Sequence, residues 1–168
     1  SSTLMDSRRA QEGEGQECTY GFFGWGVPNH QVRLRDIAKI AKMKQSGGVL
    51  PFYNGTLYML YQRETEKYSD FGGKKLERET QTACAWRNAM AEGGFNREDV
   101  KEIFGEFSSK SYLCIIANLN KEPIAVKPNT SVRAVPSYHR IARDEEISGR
   151  LFIKDFEPAV KKIQRRYG

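Results

Sequence analysis

Between Phe71 and Phe95 the chain sets a glycine pair, Gly72-Gly73, directly before Lys74, and follows it with Glu77, Arg78, Glu79, Arg87 and Glu92. These residue types can handle phosphate. Glycines let backbone N–H groups approach an anion closely. Lys74 and Arg78 offer positive charge, and carboxylates can gather divalent cations that neutralise and polarise a pyrophosphate. Each residue also has a plainer reading. Gly72 and Gly73 fit a backbone turn, and Lys74 and Arg78 fit a solvated surface. Positions 88, 91 and 92 share one helix face by their three- and four-residue spacing. Asn88 brings a carbonyl oxygen without charge there, Ala91 brings no ligand, and Glu92 brings a carboxylate.

The neighbouring sequence predicts the elements that would hold these groups. Val49–Tyr53 and Thr56–Gln62 are rich in β-formers, and Asn54-Gly55 between them predicts a tight hairpin. A polar loop over 63–70 leads to Phe71 and a glycine turn. Thr80–Ala91 is helical by composition, with Thr80 or Thr82 as the N-cap and Gly93-Gly94 as the stop. A short helix is expected from Asn96 through Phe104, then an apolar strand from Tyr112 to Leu119. Prolines at 123, 128 and 136 break the next stretch into strand pieces and loops. Asp155 can cap a final helix over Phe156–Arg166, with Pro158 in its first turn. Upstream, apolar spacing over Val32–Lys44 predicts a basic helix ended by Gly47-Gly48. The order is mixed α/β, a sheet flanked by helices.

Gly73, Glu79, Arg87, Glu92, Gly94 and Phe95 keep, without gaps, the spacing of the Nudix box, G-x5-E-x7-R-E-U-x-E-E-x-G-U, where U is a bulky apolar residue. With the hairpin before it and the strand and terminal helix after it, the chain resembles the Nudix hydrolase superfamily over roughly residues 45–167. The resemblance implies an α/β/α sandwich and cleavage of nucleoside diphosphates linked to another moiety, with Mg2+ or Mn2+ and a water nucleophile. In a typical member positions 88, 91 and 92 are all glutamates. Here only Glu92 keeps its carboxylate, so metal binding is expected to be weak, and losses of this kind cost at least about 10–100-fold in affinity or activity.

By the same resemblance, Glu92, Glu79 and Arg87 are the catalytic candidates. Glu92, Glu79, Glu145 and Glu146 are the candidate metal ligands, and Gly72, Gly73, Lys74 and Arg78 the candidate phosphate contacts. Glu79 is read either as a metal ligand or as the partner of Arg87 bracing the loop. The acidic run Asp144-Glu145-Glu146 is read either as a late carboxylate supply or as an exposed helix start. The expected function is to act on or bind a pyrophosphate-containing nucleotide or RNA 5′ end, with weak or altered hydrolysis. The alternative is a catalytically inactive Nudix-fold module that binds RNA or a nucleotide, or a structural subunit of a larger assembly.

Composition sets the limits. The chain has 168 residues, net charge +6 and 39% hydrophobic residues, enough for one domain with a real core. Residues 1–17 are expected to form a flexible tail, and 18–168 a single domain with an aromatic and helical extension over 18–46. Tyr20–Pro28 alternates aromatics with glycines, either tucked onto the domain or offering stacking surfaces to bases. The positive balance suits phosphate-rich partners. No apolar run approaches the roughly 20 residues of a membrane span. Cys18, Cys84 and Cys114 lack metal or disulfide spacing and suggest an intracellular, reducing compartment.

Overall fold

Asn54 and Gly55 both adopt positive φ, 51° and 79°, which is the two-residue turn whose twist matches its flanking strands. It joins β1, Ser46–Tyr53, to β2, Thr56–Gln62, in the hairpin that the sequence predicts. A computed structural model describes residues 46–141 and 143–167. The tail, the Tyr20–Pro28 segment, the Val32–Lys44 helix, Cys18 and His30 lie outside the described residues.

Five more strands follow: β3 (Lys67–Ser69), β4 (Phe71–Lys74), β5 (Val100–Ser108), β6 (Leu113–Leu119) and β7 (Thr130–Ala134). The helices are α1 (Gln81–Gly93), α2 (Arg143–Glu146) and α3 (Phe156–Tyr167). The seven strands make one mixed sheet in the order β3-β2-β1-β6-β5, with β4 also pairing β1 and β7 pairing β2. The long β1 is the pivot. It runs parallel to β6 along its length, while its first half pairs antiparallel with β4 and its far end with β2.

Both faces of the central strands are covered, so they read as continuous apolar runs rather than as alternation. Val49, Ile115 and Ala117 pack with Ala85 and Ala89 of α1 and with Phe71 and Phe95. Leu50, Phe52, Cys114 and Ile116 pack on the opposite face with Phe156, Val160 and Ile163 of α3. This is the helix–sheet–helix sandwich expected from the sequence.

Two local expectations are corrected. Asn96 does begin a helical turn, capped reciprocally with Asp99, but the turn ends after residue 99 and β5 takes over. Val100, Ile103, Phe104 and Phe107 have helical spacing. In β5 the register slips between Val100 and Glu102 and again between Ile103 and Gly105. Each slip inserts one extra residue and shifts the alternation, so a doubly bulged strand imitates a helical pattern. The glycine pairs are the second correction. Gly47 and Gly48 lie within β1, paired with Gly73 and Gly72 of β4, so neither pair forms a turn. A Cβ on Gly72 would collide with the Tyr112 hydroxyl and the backbone of Gly47, and one on Gly48 with the Tyr112 hydroxyl and the Asp70 carboxylate.

Gly72→Ala should therefore destabilise the fold by about 1–3 kcal/mol through overpacking. Gly149→Ala, where an added Cβ meets nothing within 4 Å, should leave stability unchanged or raise it slightly. Denaturant midpoints at constant m-value test both.

Candidate functional site

Helix α1 is fixed at both ends by its own sequence. Thr80 Oγ1 accepts from the Ala83 N–H at 3.0 Å, and Gly94 ends the helix at φ 72° with its N–H on the Met90 carbonyl. Arg87 and Glu79 then tie the incoming loop to the helix. Arg87 donates from Nε to Glu79 Oε2 at 2.6 Å and from Nη2 to Glu79 Oε1 at 3.0 Å. The same Nη2 donates to the Lys74 carbonyl, and the Leu76 N–H donates to Glu79 Oε1. The hydrogen bond from Arg87 holds the Glu79 carboxyl below its usual range, and Glu79 raises Arg87 in return. This geometry supports the bracing reading of Glu79.

The metal-ligand positions do not converge. Asn88 is buried, and its Nδ2 donates to the Cys84 carbonyl at 3.0 Å, to Cys84 Sγ and to the Lys74 carbonyl. Its Oδ1 faces Gly73, where a Cβ would lie 2.7 Å from it. Ala91 has no ligand atom. The Glu92 carboxylate is only 14% exposed, and Lys127 Nζ stands 2.9 Å from its Oε2. A backbone strap delivers that lysine. The Ile124 N–H donates to the Gly93 carbonyl at 2.9 Å and the Val126 N–H to the Glu92 carbonyl at 3.4 Å. These bonds satisfy carbonyls at the helix C-terminus, where positive charge is also favourable. Glu145 and Glu146 lie on the exposed helix α2. Among the described residues no three His, Cys, Asp or Glu side chains stand close enough to hold a metal ion. Mg2+ keeps several waters and is held by as few as one or two free carboxylates plus substrate phosphates. Here the one carboxylate among positions 88, 91 and 92 is paired with Lys127 and Glu79 with Arg87, so neither is free for a divalent cation in this arrangement.

Sequence reasoning missed a second cluster. Asp70 has no exposed surface. Arg150 donates from Nε to its Oδ1 at 2.7 Å and from Nη2 to its backbone carbonyl at 3.0 Å, and Tyr112 donates its hydroxyl to Oδ2 at 2.7 Å. The Tyr112 ring lies 5.1 Å from the Arg150 guanidinium. Burial and then the charge of Asp70 push the Tyr112 hydroxyl well above its ordinary value, and the Cys114 thiol likewise. Burial opposes the charge of Arg150, but Asp70 more than offsets this and keeps it protonated. Burial also raises the Cys84 thiol, so neither described cysteine is poised as a nucleophile. Asp70 and Arg150 are 80 residues apart, and no local pattern links them.

The remaining candidates are placed as follows. Gly72 is buried in β4 under Tyr112, Gly73 is half-buried beside Asn88, and Lys74 is exposed at the strand end. Arg78 is exposed in the loop at φ 67°, the conformation of a turn residue. Trp86 packs against the core on the α1 side, with the Arg97 guanidinium 5.8 Å from its ring centre.

No family model matches the sequence, and no curated protein does. Solved structures match the fold. The pyrophosphohydrolase of Bacillus subtilis, in a mutant form, is 15% identical over 74% of this chain and 83% of that chain, with a TM-score of 0.50. A Nudix hydrolase from Nitrosomonas europaea is 15% identical over 72% of this chain and 69% of that chain, with a TM-score of 0.49. A bifunctional NMN adenylyltransferase/ADP-ribose pyrophosphatase from Francisella tularensis, complexed with AMP and a manganese ion, is 12% identical over 84% of this chain and 47% of that chain, with a TM-score of 0.47. The chain has the Nudix fold. Among the described residues no helix is long and apolar enough to cross a membrane.

Two stability tests follow. Arg150→Ala leaves the Asp70 charge buried and unpaired and should cost about 3–5 kcal/mol, while Arg150→Met combined with Asp70→Asn should recover part of that loss. Because the folded Glu79 carboxyl lies below its unfolded value, its stabilisation is complete above about pH 4.3 and is lost as pH falls through the lower folded value. Glu79→Gln should therefore lower the denaturant midpoint at neutral pH and converge with wild type in acid.

Proposed function

We propose that this chain is a Nudix-fold module that binds a pyrophosphate-containing nucleotide or RNA 5′ end without metal-dependent hydrolysis. One observation carries the reading. Of the three helix positions that the resemblance assigns to carboxylates, only 92 holds one, and Lys127 already neutralises it. An ammonium can balance the carboxylate, but it cannot act as a Lewis acid or lower the pKa of a bound water as a divalent ion does. Asn88 spends its amide N–H groups on the Cys84 and Lys74 carbonyls and on Cys84 Sγ, and its uncharged Oδ1 is packed against Gly73.

Phosphate binding is supported by Lys74, exposed next to Gly73, by Arg78, exposed in the loop that follows, and by the positive balance of the chain. Glu79 and Arg87 serve in this reading as the brace that fixes the Lys74–Glu79 loop against the helix. Neither Mg2+ nor Mn2+ is required. The buried free thiols Cys84 and Cys114 support an intracellular, reducing compartment.

The test is turnover of a panel of NDP-X compounds and 5′-triphosphate or capped RNA with Mg2+ or Mn2+, comparing wild type with Glu92→Gln. Both proteins should release product at the same background rate. A metal-dependent rate that falls about tenfold or more in Glu92→Gln, equivalent to about 1.4 kcal/mol of barrier, overturns the proposal. Conversely, Lys127→Ala with Ala91→Glu should create measurable Mn2+ binding that wild type lacks.

A further inference from the structure

Between α2, the turn over 152–155 and the first turns of α3 lies an open hollow of about 550 Å3. Phe156, Val160 and Ile163 seat α3 on the sheet face opposite α1, so the hollow uses none of the residues around Gly73 and Glu92. We infer that it docks an acidic segment of a partner protein, with an apolar side chain of that segment set against Phe152.

Charge is the first support. Four cations border the hollow, Arg143, Lys154, Lys161 and Arg165, against two acids, Asp155 and Glu157. One of those acids is shared. Lys161 Nζ lies 2.8 Å from Glu157 Oε2, and Arg143 Nε lies 3.8 Å from Glu157 Oε1. Among the described residues Lys154 and Arg165 have no ion-pair partner, and exposed Lys162 extends the positive surface along α3. Carboxylates of a partner would complete these pairs and steer its approach.

The second support is an apolar anchor point. Phe152 is 38% exposed, and the Arg143 guanidinium lies 4.5 Å from its ring centre. Pro158 adds apolar surface to the same hollow. Aromatic residues and arginine are the types that carry binding energy at protein interfaces. A nucleic-acid strand fits less well. Its phosphates repeat without a break, whereas Asp155 and Glu157 stand among the cations, and Asp144 and Glu145 follow Arg143 on α2. Like-charge contacts oppose binding. A peptide avoids them by setting its acids only opposite Lys154 and Arg165.

The test pans a phage-displayed random peptide library on the full chain. Enriched peptides are synthesised with a fluorophore and titrated by anisotropy. They are expected to place Asp and Glu around an aromatic or aliphatic residue, and their affinity should fall as salt rises. Lys154→Glu and Arg165→Glu should each weaken binding about tenfold or more. Phe152→Ser should weaken it without changing the salt dependence. Lys101→Glu, on β5 and outside the hollow, should bind as wild type does. All four variants alter exposed side chains, and unchanged denaturant midpoints verify that each is folded. Enrichment of peptides without acids, wild-type affinity in Lys154→Glu and Arg165→Glu or in Phe152→Ser, or equal weakening by Lys101→Glu overturns the inference. A single-stranded 5′-hydroxyl RNA that outcompetes every enriched peptide and weakens in the same variants also overturns it, and assigns the hollow to nucleic acid. None of these outcomes bears on Glu92 or on turnover, so this inference and the hydrolysis-free reading fail separately.

Discussion

A carboxylate with no contact to solvent holds three distant parts of this chain in place. Asp70 precedes β4, Tyr112 precedes β6, and Arg150 lies in the short turn before the last helix. An ionised carboxylate in such a place costs several kcal/mol to desolvate unless its oxygens are paired, and here Arg150 takes one and Tyr112 the other. The need to satisfy Asp70 fixes how β4 and β6 sit on either side of β1. It also explains the glycines. Gly48 and Gly72 face each other across the β1–β4 ladder because the Tyr112 hydroxyl and the Asp70 carboxylate occupy the space that their side chains would need. A pattern that reads as a flexible phosphate turn is, in the folded chain, a rigid ladder thinned to admit a buried charge network.

A parallel accounting holds on the α1 side of the sheet. Two of the candidate glutamates are matched by a base of the same chain: Glu79 by Arg87, and Glu92 by Lys127. The first pair braces a loop, and the second closes a helix C-terminus through the strap around Ile124 and Val126. Both use charge to hold the structure, and neither leaves the dense negative patch that would draw a divalent ion out of water. Lys74, at the end of β4, has no ion-pair partner among the described residues, whereas Arg150 is matched by Asp70.

Much of this was legible before folding, wherever the signal was local. Asn54-Gly55 needs two positive φ values and announces the hairpin. Thr80 and Gly94 mark the ends of α1 because each satisfies its terminus by its own chemistry. The pairing of Glu79 with Arg87 was implied by the resemblance to the Nudix box, not by local spacing, and the structure shows the two hydrogen-bonded. β5 was misread because two bulges turned a period of two into the three-and-four spacing of a helix. No single-strand pattern records which residues a partner strand will skip. The acids at 144–146 illustrate another limit, since their charge was plain in the sequence but their place on an exposed helix was not.

The sequence by itself determined the β1–β2 hairpin, helix α1 with its caps, the apolar strand β6, the terminal helix, and the lack of carboxylates at positions 88 and 91. Those follow from local backbone preference and residue chemistry, which act over a few positions. Only the tertiary structure decided that Lys127 would neutralise Glu92, that Arg150 would pair with Asp70, and that the glycine pairs would be ladder residues rather than turns. Each depends on groups separated by about 25 to 80 positions, where pairing is set by desolvation and close packing rather than by spacing along the chain.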